Sequence, residues 1–280
     1  MTANHPSNPL ALLVADTPFG NAAANYLLAR FPALHVFQEP REARKDIVAR
    51  RRKIVGTLAT AEQMAASVLI RLAGRKSSTR IAELCSAHGL DVSRPPAARV
   101  TAISSVNGED ARRALAALQP VVVAVYGTRL IGARTLAAVP APFVNYHAGL
   151  TPTYRGQHPG YWALASGDPS GAGVTVHLVD TGVDTGRVLA QAHVPLDPCT
   201  DTIMTYQWVQ LPVGLALLEQ ILVHAISGAI DLSSLGAGGS DGWAAKAGDD
   251  MPRDRKPMQR PYLPPTLRQY LFNGMKRNVW

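Results

Sequence analysis

The chain has 280 residues, 47% hydrophobic and 17% charged, with a formal net charge of +8. These proportions exclude a chain disordered throughout and suit one large folded domain with a small appendage, because a chain of this length buries a sizeable core. The excess charge is local: residues 41–80 hold Arg41, Arg44, Lys45, Arg50, Arg51, Arg52, Lys53, Arg71, Arg75, Lys76 and Arg80 against Glu42, Asp46 and Glu62. Such a run is first a solvated helix face and second a contact for an anionic acceptor, RNA or a membrane surface.

Pro9 to Asp16 is a short apolar run that leads through Thr17-Pro18-Phe19-Gly20-Asn21 into an Ala-rich segment ending near Phe31. That order predicts strand, loop, helix. His35 to Gln38 is the next strand, and the basic region 41–80 makes one or two helices whose apolar side is Ile54, Leu58, Met64, Val68, Leu69 and Leu72. Ile81 to His88 forms a further helix stopped at Gly89, and Val100 to Val106 returns to strand after the Pro95-Pro96 break. Asn107 is the expected N-cap of a helix through Leu118, with Asp110 three residues later. Val121 to Tyr126 is continuous and mostly β-branched, as a central parallel strand requires. Strand and helix alternate, which predicts an α/β fold: an open, mostly parallel twisted sheet with helices on both faces and a ligand cleft beyond the strand carboxyl ends.

Further on, Leu189 to Val194 continues the sheet and Thr202 to Ile226 is a long apolar helix ended by Ser227-Gly228. Residues 1–230 are thus one domain, and 231–280 a Gly- and Pro-rich loop and short tail. Within it, Pro261 to Thr266 reads as a docked extended segment and Leu267 to Trp280 as a short helix with an aromatic end, and the tail is either an ordered wrap or a mobile appendage. Cys85 and Cys199 lack metal-like spacing, and the N-terminus has no export-signal pattern. The expectation is a cytoplasmic chain with no transmembrane segment, since no apolar run approaches the roughly 20 residues of a bilayer-spanning helix.

The chemistry gathers around residues 141–189. Asn145 and His147 end an apolar stretch and, being two apart on extended backbone, project an amide and an imidazole to one side. A second strand, Gly173 to Leu178, runs into a glycine-punctuated loop carrying Asp180 and Asp184, either of which supplies an acid or forms a turn. An amide, an imidazole and a carboxylate on neighbouring strand ends suit stabilisation of a tetrahedral acyl intermediate.

Asn145-Tyr146-His147, Tyr154-Arg155-Gly156, Gly173-Val-Thr-Val-His177 and the following Val-Asp-Thr-Gly resemble, in order and spacing, the folate-dependent formyltransferases, most densely from Pro120 to Leu222. The resemblance implies 10-formyltetrahydrofolate as formyl donor, no metal, and Asn145, His147 and Asp184 as the catalytic set. It places the pterin against backbone of Thr128, Arg129, Leu130 and Ile131 and of Val179, Asp180, Thr181, Gly182 and Val183, with Tyr154, Arg155 and Gly156 toward the acceptor. His177 is expected to support or pack. The acceptor implied is an amine on a small molecule, an amino sugar or a modified amino acid. tRNA is disfavoured because the residues after Ile226 lack the strand pattern of the tRNA-binding β-barrel. The loop Asp16 to Asn21 departs from the glycine-rich phosphate loop of the purine-pathway members. The basic segment 41–80 reads as an insertion that shapes the acceptor cleft or a homodimer contact. Alternatives are a formyltetrahydrofolate hydrolase with the same triad, and a non-catalytic binding module on the same fold.

Overall fold

The computed structural model describes residues 9–232, 234 and 260–280. In chain order the elements are β1 (Leu10–Ala15), α1 (Pro18–Leu28), β2 (Leu34–Glu39), α2 (Arg44–Ala73), α3 (Arg75–Ala87), β3 (Val100–Ala102), α4 (Glu109–Leu118), β4 (Val122–Tyr126), α5 (Ala133–Leu136), β5 (Phe143–His147), α6 (Pro159–Ala165), β6 (Gly173–Leu178), β7 (Val188–His193), α7 (Tyr206–Ile226) and α8 (Leu267–Arg277). The strands make one seven-stranded sheet in the order β3, β2, β1, β4, β5, β6, β7. Pairing is parallel from β3 through β5 and antiparallel for β5 with β6 and β6 with β7. The strand order reverses between β1 and β4, and a cleft opens beyond the carboxyl ends there, as an open α/β sheet dictates.

Alternation along each strand builds two separate cores. Leu10, Leu12, Val14, Ala124, Tyr126, Val144 and Tyr146 face α1 and α7, while Ala11, Leu13, Val123, Val125 and Phe143 face α4 and the segment around Val139. On the first face Tyr126 and Tyr146 stack with ring centroids 4.8 Å apart, and Gly214 of α7 lies so close that an added Cβ would sit 2.1 Å from the Tyr146 ring. A third cluster, with Tyr161, Tyr206, Tyr270 and Val279, ties α6, the start of α7 and α8 together.

Several expectations change in detail. The basic region does form helix, but α2 is broken at Gly56 (φ 83°, ψ 174°) and α3 begins at Arg75 rather than Ile81. The strand expected from Val100 to Val106 keeps backbone pairing only with Val36, Phe37 and Gln38, so it ends at Ala102. Asn107 does not cap α4: Gly108 occupies that position, Asp110 turns back onto the Ser104 amide, and the Asn107 amide is spent on Leu130 O and Gly132 N at 2.9 and 2.7 Å. The apolar helix near the end is α7, at 21 residues long and apolar enough to cross a bilayer by length and composition alone. It corrects the expectation that no run reaches that length, and it packs on β5, β6 and β7 as a core helix.

Of the Gly- and Pro-rich loop expected after residue 230, positions 233 and 235–259 lie outside the described residues. From Arg260 onward the chain is docked. Trp162 Nε1 donates to Leu263 O and Gln63 Nε2 to Pro264 O, both at 2.9 Å. Thr266 and Gln269 then form a reciprocal capping box that starts α8.

Candidate active site

β5 and β6 pair with Asn145 directly opposite His177 and His147 opposite Thr175. This register, rather than sequence proximity, assembles the site. The His177 Nδ1 lies 2.7 Å from the Leu178 carbonyl, which places its hydrogen there and leaves Nε2 to accept from Asn145 Nδ2 at 3.1 Å. One amide hydrogen of Asn145 is thereby occupied, the amide is oriented, and its second N–H remains to be donated into the cleft.

His147 is held in a similar way. Its Nε2 sits 2.8 Å from the Tyr154 carbonyl, and its Nδ1 faces Asp184 Oδ2 at 3.4 Å. With Nε2 donating to the carbonyl, a second proton between Nδ1 and the carboxylate makes that contact attractive. Asp184 also lies 3.5 Å from His177 Nε2 through Oδ1, and it accepts from the Gly156 amide at 2.9 Å through Oδ2. Burial by itself raises the proton affinity of this carboxyl. The charge of a protonated His147 and the hydrogen bond from the Gly156 amide oppose it and hold Asp184 well below the usual carboxylate range. His147 and His177 are themselves buried at 7% and 3% exposure, so both imidazoles are shielded from bulk water.

Asp180 takes the other role open to it. It accepts from Gly182 N at 2.9 Å and Thr185 Oγ1 at 2.6 Å, closing a turn. The loop it shapes presents Val179, Asp180, Gly182, Val183 and Asp184 to a cleft of about 910 Å³. The opposite lip of that cleft is Thr128, Arg129, Leu130 and Ile131. Thr181 is not part of the lining. Of the three residues assigned to the acceptor, Gly156 faces the cleft, whereas Tyr154 is buried with its hydroxyl on Asp168 Oδ2 and Arg155 reaches back to Val183 O.

Three contributors carry little signal in the sequence. Glu39, 1% exposed at the end of β2, accepts from Arg129 N at 2.9 Å and Val106 N at 3.0 Å, with the Arg129 guanidinium 3.5 Å away. With Asn107 on the other side, it pins the 128–132 loop at both ends, leaving Leu130 54% exposed as an apolar wall. The one hint was a carboxylate that closes the strand after Val36, Phe37 and Gln38. The segment Arg260 to Leu263 also lines the cleft. Its position depends on contacts roughly a hundred residues away in sequence. Among the described residues, no group of three or more His, Cys, Asp or Glu has a metal-holding arrangement.

Residues 42–211 match the family model described as formyl transferase. A methionyl-tRNA formyltransferase of Corynebacterium diphtheriae is 34% identical over 157 residues, covering 53% of this chain and 49% of that protein. Another, of Aromatoleum aromaticum, is 38% identical over 129 residues, covering 45% and 37%. The chain therefore aligns with half or less of the length of these relatives. The phosphoribosylglycinamide formyltransferase from Anaplasma phagocytophilum superposes with a TM-score of 0.52 over 85% of this chain and 97% of that one, at 15% identity, a likeness of fold.

Proposed function

Because this chain belongs to the formyl transferase family, we propose that it moves a formyl group from 10-formyltetrahydrofolate to the amine of a small-molecule acceptor. The observation that carries the reading is the cluster of Asn145, His147, His177 and Asp184 at the cleft. The residues present fit the donor: a cleft of about 910 Å³ has an apolar wall in Leu130, Ile131 and Val179 beside fixed backbone, which suits a flat heterocycle. When bound, that donor supplies a formyl carbonyl as electrophile.

The second N–H of Asn145, which lines the cleft, can stabilise an oxygen that gains negative charge, and its amide is oriented in advance by His177. Asp184 and His147 form a pair able to share a proton released by the attacking amine, between Oδ2 and Nδ1. His147 acts as a shuttle rather than a second oxyanion donor, since its Nε2 is committed to the Tyr154 carbonyl. Arg260 to Leu263 also line the cleft. A second reading, with methionyl-tRNA as acceptor, is favoured by the names of the sequence relatives.

The test is a mass-shift screen for one added formyl group across amino sugars, amino acids, hydroxylated amines and charged methionyl-tRNA, with the donor alone as control. Transfer to a small amine supports the proposal, and donor consumption without any acceptor points to a hydrolase instead. Asn145→Ala should lower kcat about 10²–10³-fold, the cost of one oxyanion donor, while leaving the fold intact. No turnover of the donor under any condition would sink the enzymatic reading.

A further inference from the structure

The family match ends at residue 211, yet residues 260–263 form a wall of the cleft. We propose that this C-terminal strap belongs to the catalytic apparatus, with Tyr262 a positioning residue that holds the Gly156 amide against Asp184. The inference rests on the formyl-transfer reading and deepens it.

The strap is paired to the loop that supplies that amide. Tyr262 N donates to Arg155 O and Gln157 N donates to Tyr262 O, each at 2.9 Å, so Gly156 is bracketed on both sides. Between those two bonds the Gly156 N–H points the other way, to Asp184 Oδ2 at 2.9 Å. The approach is too close for a side chain: Gly156 has φ +91°, and an added Cβ would lie 2.3 Å from Tyr262 O. The Tyr262 ring stacks on Tyr154 at 5.8 Å and on Trp162 at 5.1 Å, with interplanar angles of 12° and 16°. Trp162 also donates to Leu263 O, and the end of the chain is fastened by Ile203 N donating to Trp280 O at 2.6 Å.

Asp184 needs such support. It sits at φ +50°, in the left-handed region, which aspartate tolerates better than most side chains but still at a cost that neighbouring contacts offset. Two of its partners, His147 and His177, come from the rigid strands β5 and β6. The third, the Gly156 amide, comes from a loop whose place is set by the strap. Loosening the strap therefore frees one side of the carboxylate while the sheet keeps the other.

Tyr262→Ala is the test, with Tyr262→Phe as the conservative partner that keeps the ring stack and the backbone bonds. In Tyr262→Ala, kcat should fall about 10- to 100-fold, the scale of a small misplacement of a reacting group, while KM for the folate donor changes little. The ¹³C resonance of the Asp184 carboxyl should titrate at higher pH than in the native protein, because a hydrogen bond to its ionised form is weakened. Tyr262→Phe should restore both, and the exposed Met275→Ser on α8 should alter neither. If the native protein formylates no amine, the carboxyl titration alone decides, so failure of the formyl-transfer reading remains distinct from failure of this one. Should Tyr262→Ala not fold, Tyr262→Leu gives the same comparison with apolar bulk retained. An unmoved Asp184 titration in a folded variant, or a loss confined to KM, overturns the proposal.

Discussion

At the residue scale, the candidate chemistry depends on which hydrogen each polar side chain has left to give. Asn145 and His147 are legible in the sequence because a period of two on extended backbone sends both to one face. The choice between Asp180 and Asp184 is not, since Val-Asp-Thr-Gly occurs twice, at 179–182 and 183–186. Geometry separates them: Asp180 closes its own turn, and Asp184 meets two imidazoles and an amide. The depressed proton affinity of Asp184 also has a consequence for stability. Its unfolded counterpart binds a proton near the ordinary value of about 3.9, so the native form gains stability above that pH and loses it as pH falls toward the lower folded value. Asp184→Asn removes this contribution. In denaturant titrations the variant should be less stable than the native protein at neutral pH, and the gap should close as pH drops below about 4. A gap independent of pH would mean that the carboxylate is not stabilised as described.

At the element scale, burial pattern identified the strands, and local competition decided where several elements begin and end. β4 was plain because every residue in it is buried on both faces. Asn107 misled as a cap because an amide can satisfy either a helix end or a distant loop, and here the loop at Leu130 to Gly132 takes it. The contact between α7 and the sheet offers a sharp test, since Gly214 lets the helix approach the Tyr146 ring. Gly214→Val should cost about 1–3 kcal/mol through overpacking, read as a lower denaturant midpoint with an unchanged slope. An unaltered midpoint would show that α7 has room to shift.

At the scale of the whole molecule, the chain carries a net charge of +8 and the C-terminal residues 260–263 line the cleft. A chain of net charge +8 attracts RNA whether or not RNA is its acceptor. Binding of unrelated RNA should therefore weaken steeply between roughly 50 and 200 mM salt, with a slope set by the number of phosphates neutralised. Formyl transfer to methionyl-tRNA that survives the upper salt would displace the small-acceptor reading, whereas salt-sensitive binding without transfer would leave it standing.

The sequence by itself determined the α/β class, the central strand, the paired amide and imidazole, and the family, because these depend on local periodicity and on motifs whose spacing survives without knowledge of contacts. Only the tertiary structure decided how they work together. The β5–β6 register set His177 against Asn145, the Asp184 loop turned one carboxylate inward, and residues 260–263 came to line the cleft. Each of these is a contact between segments far apart along the chain. Their geometry follows from packing, which a linear pattern does not encode residue by residue.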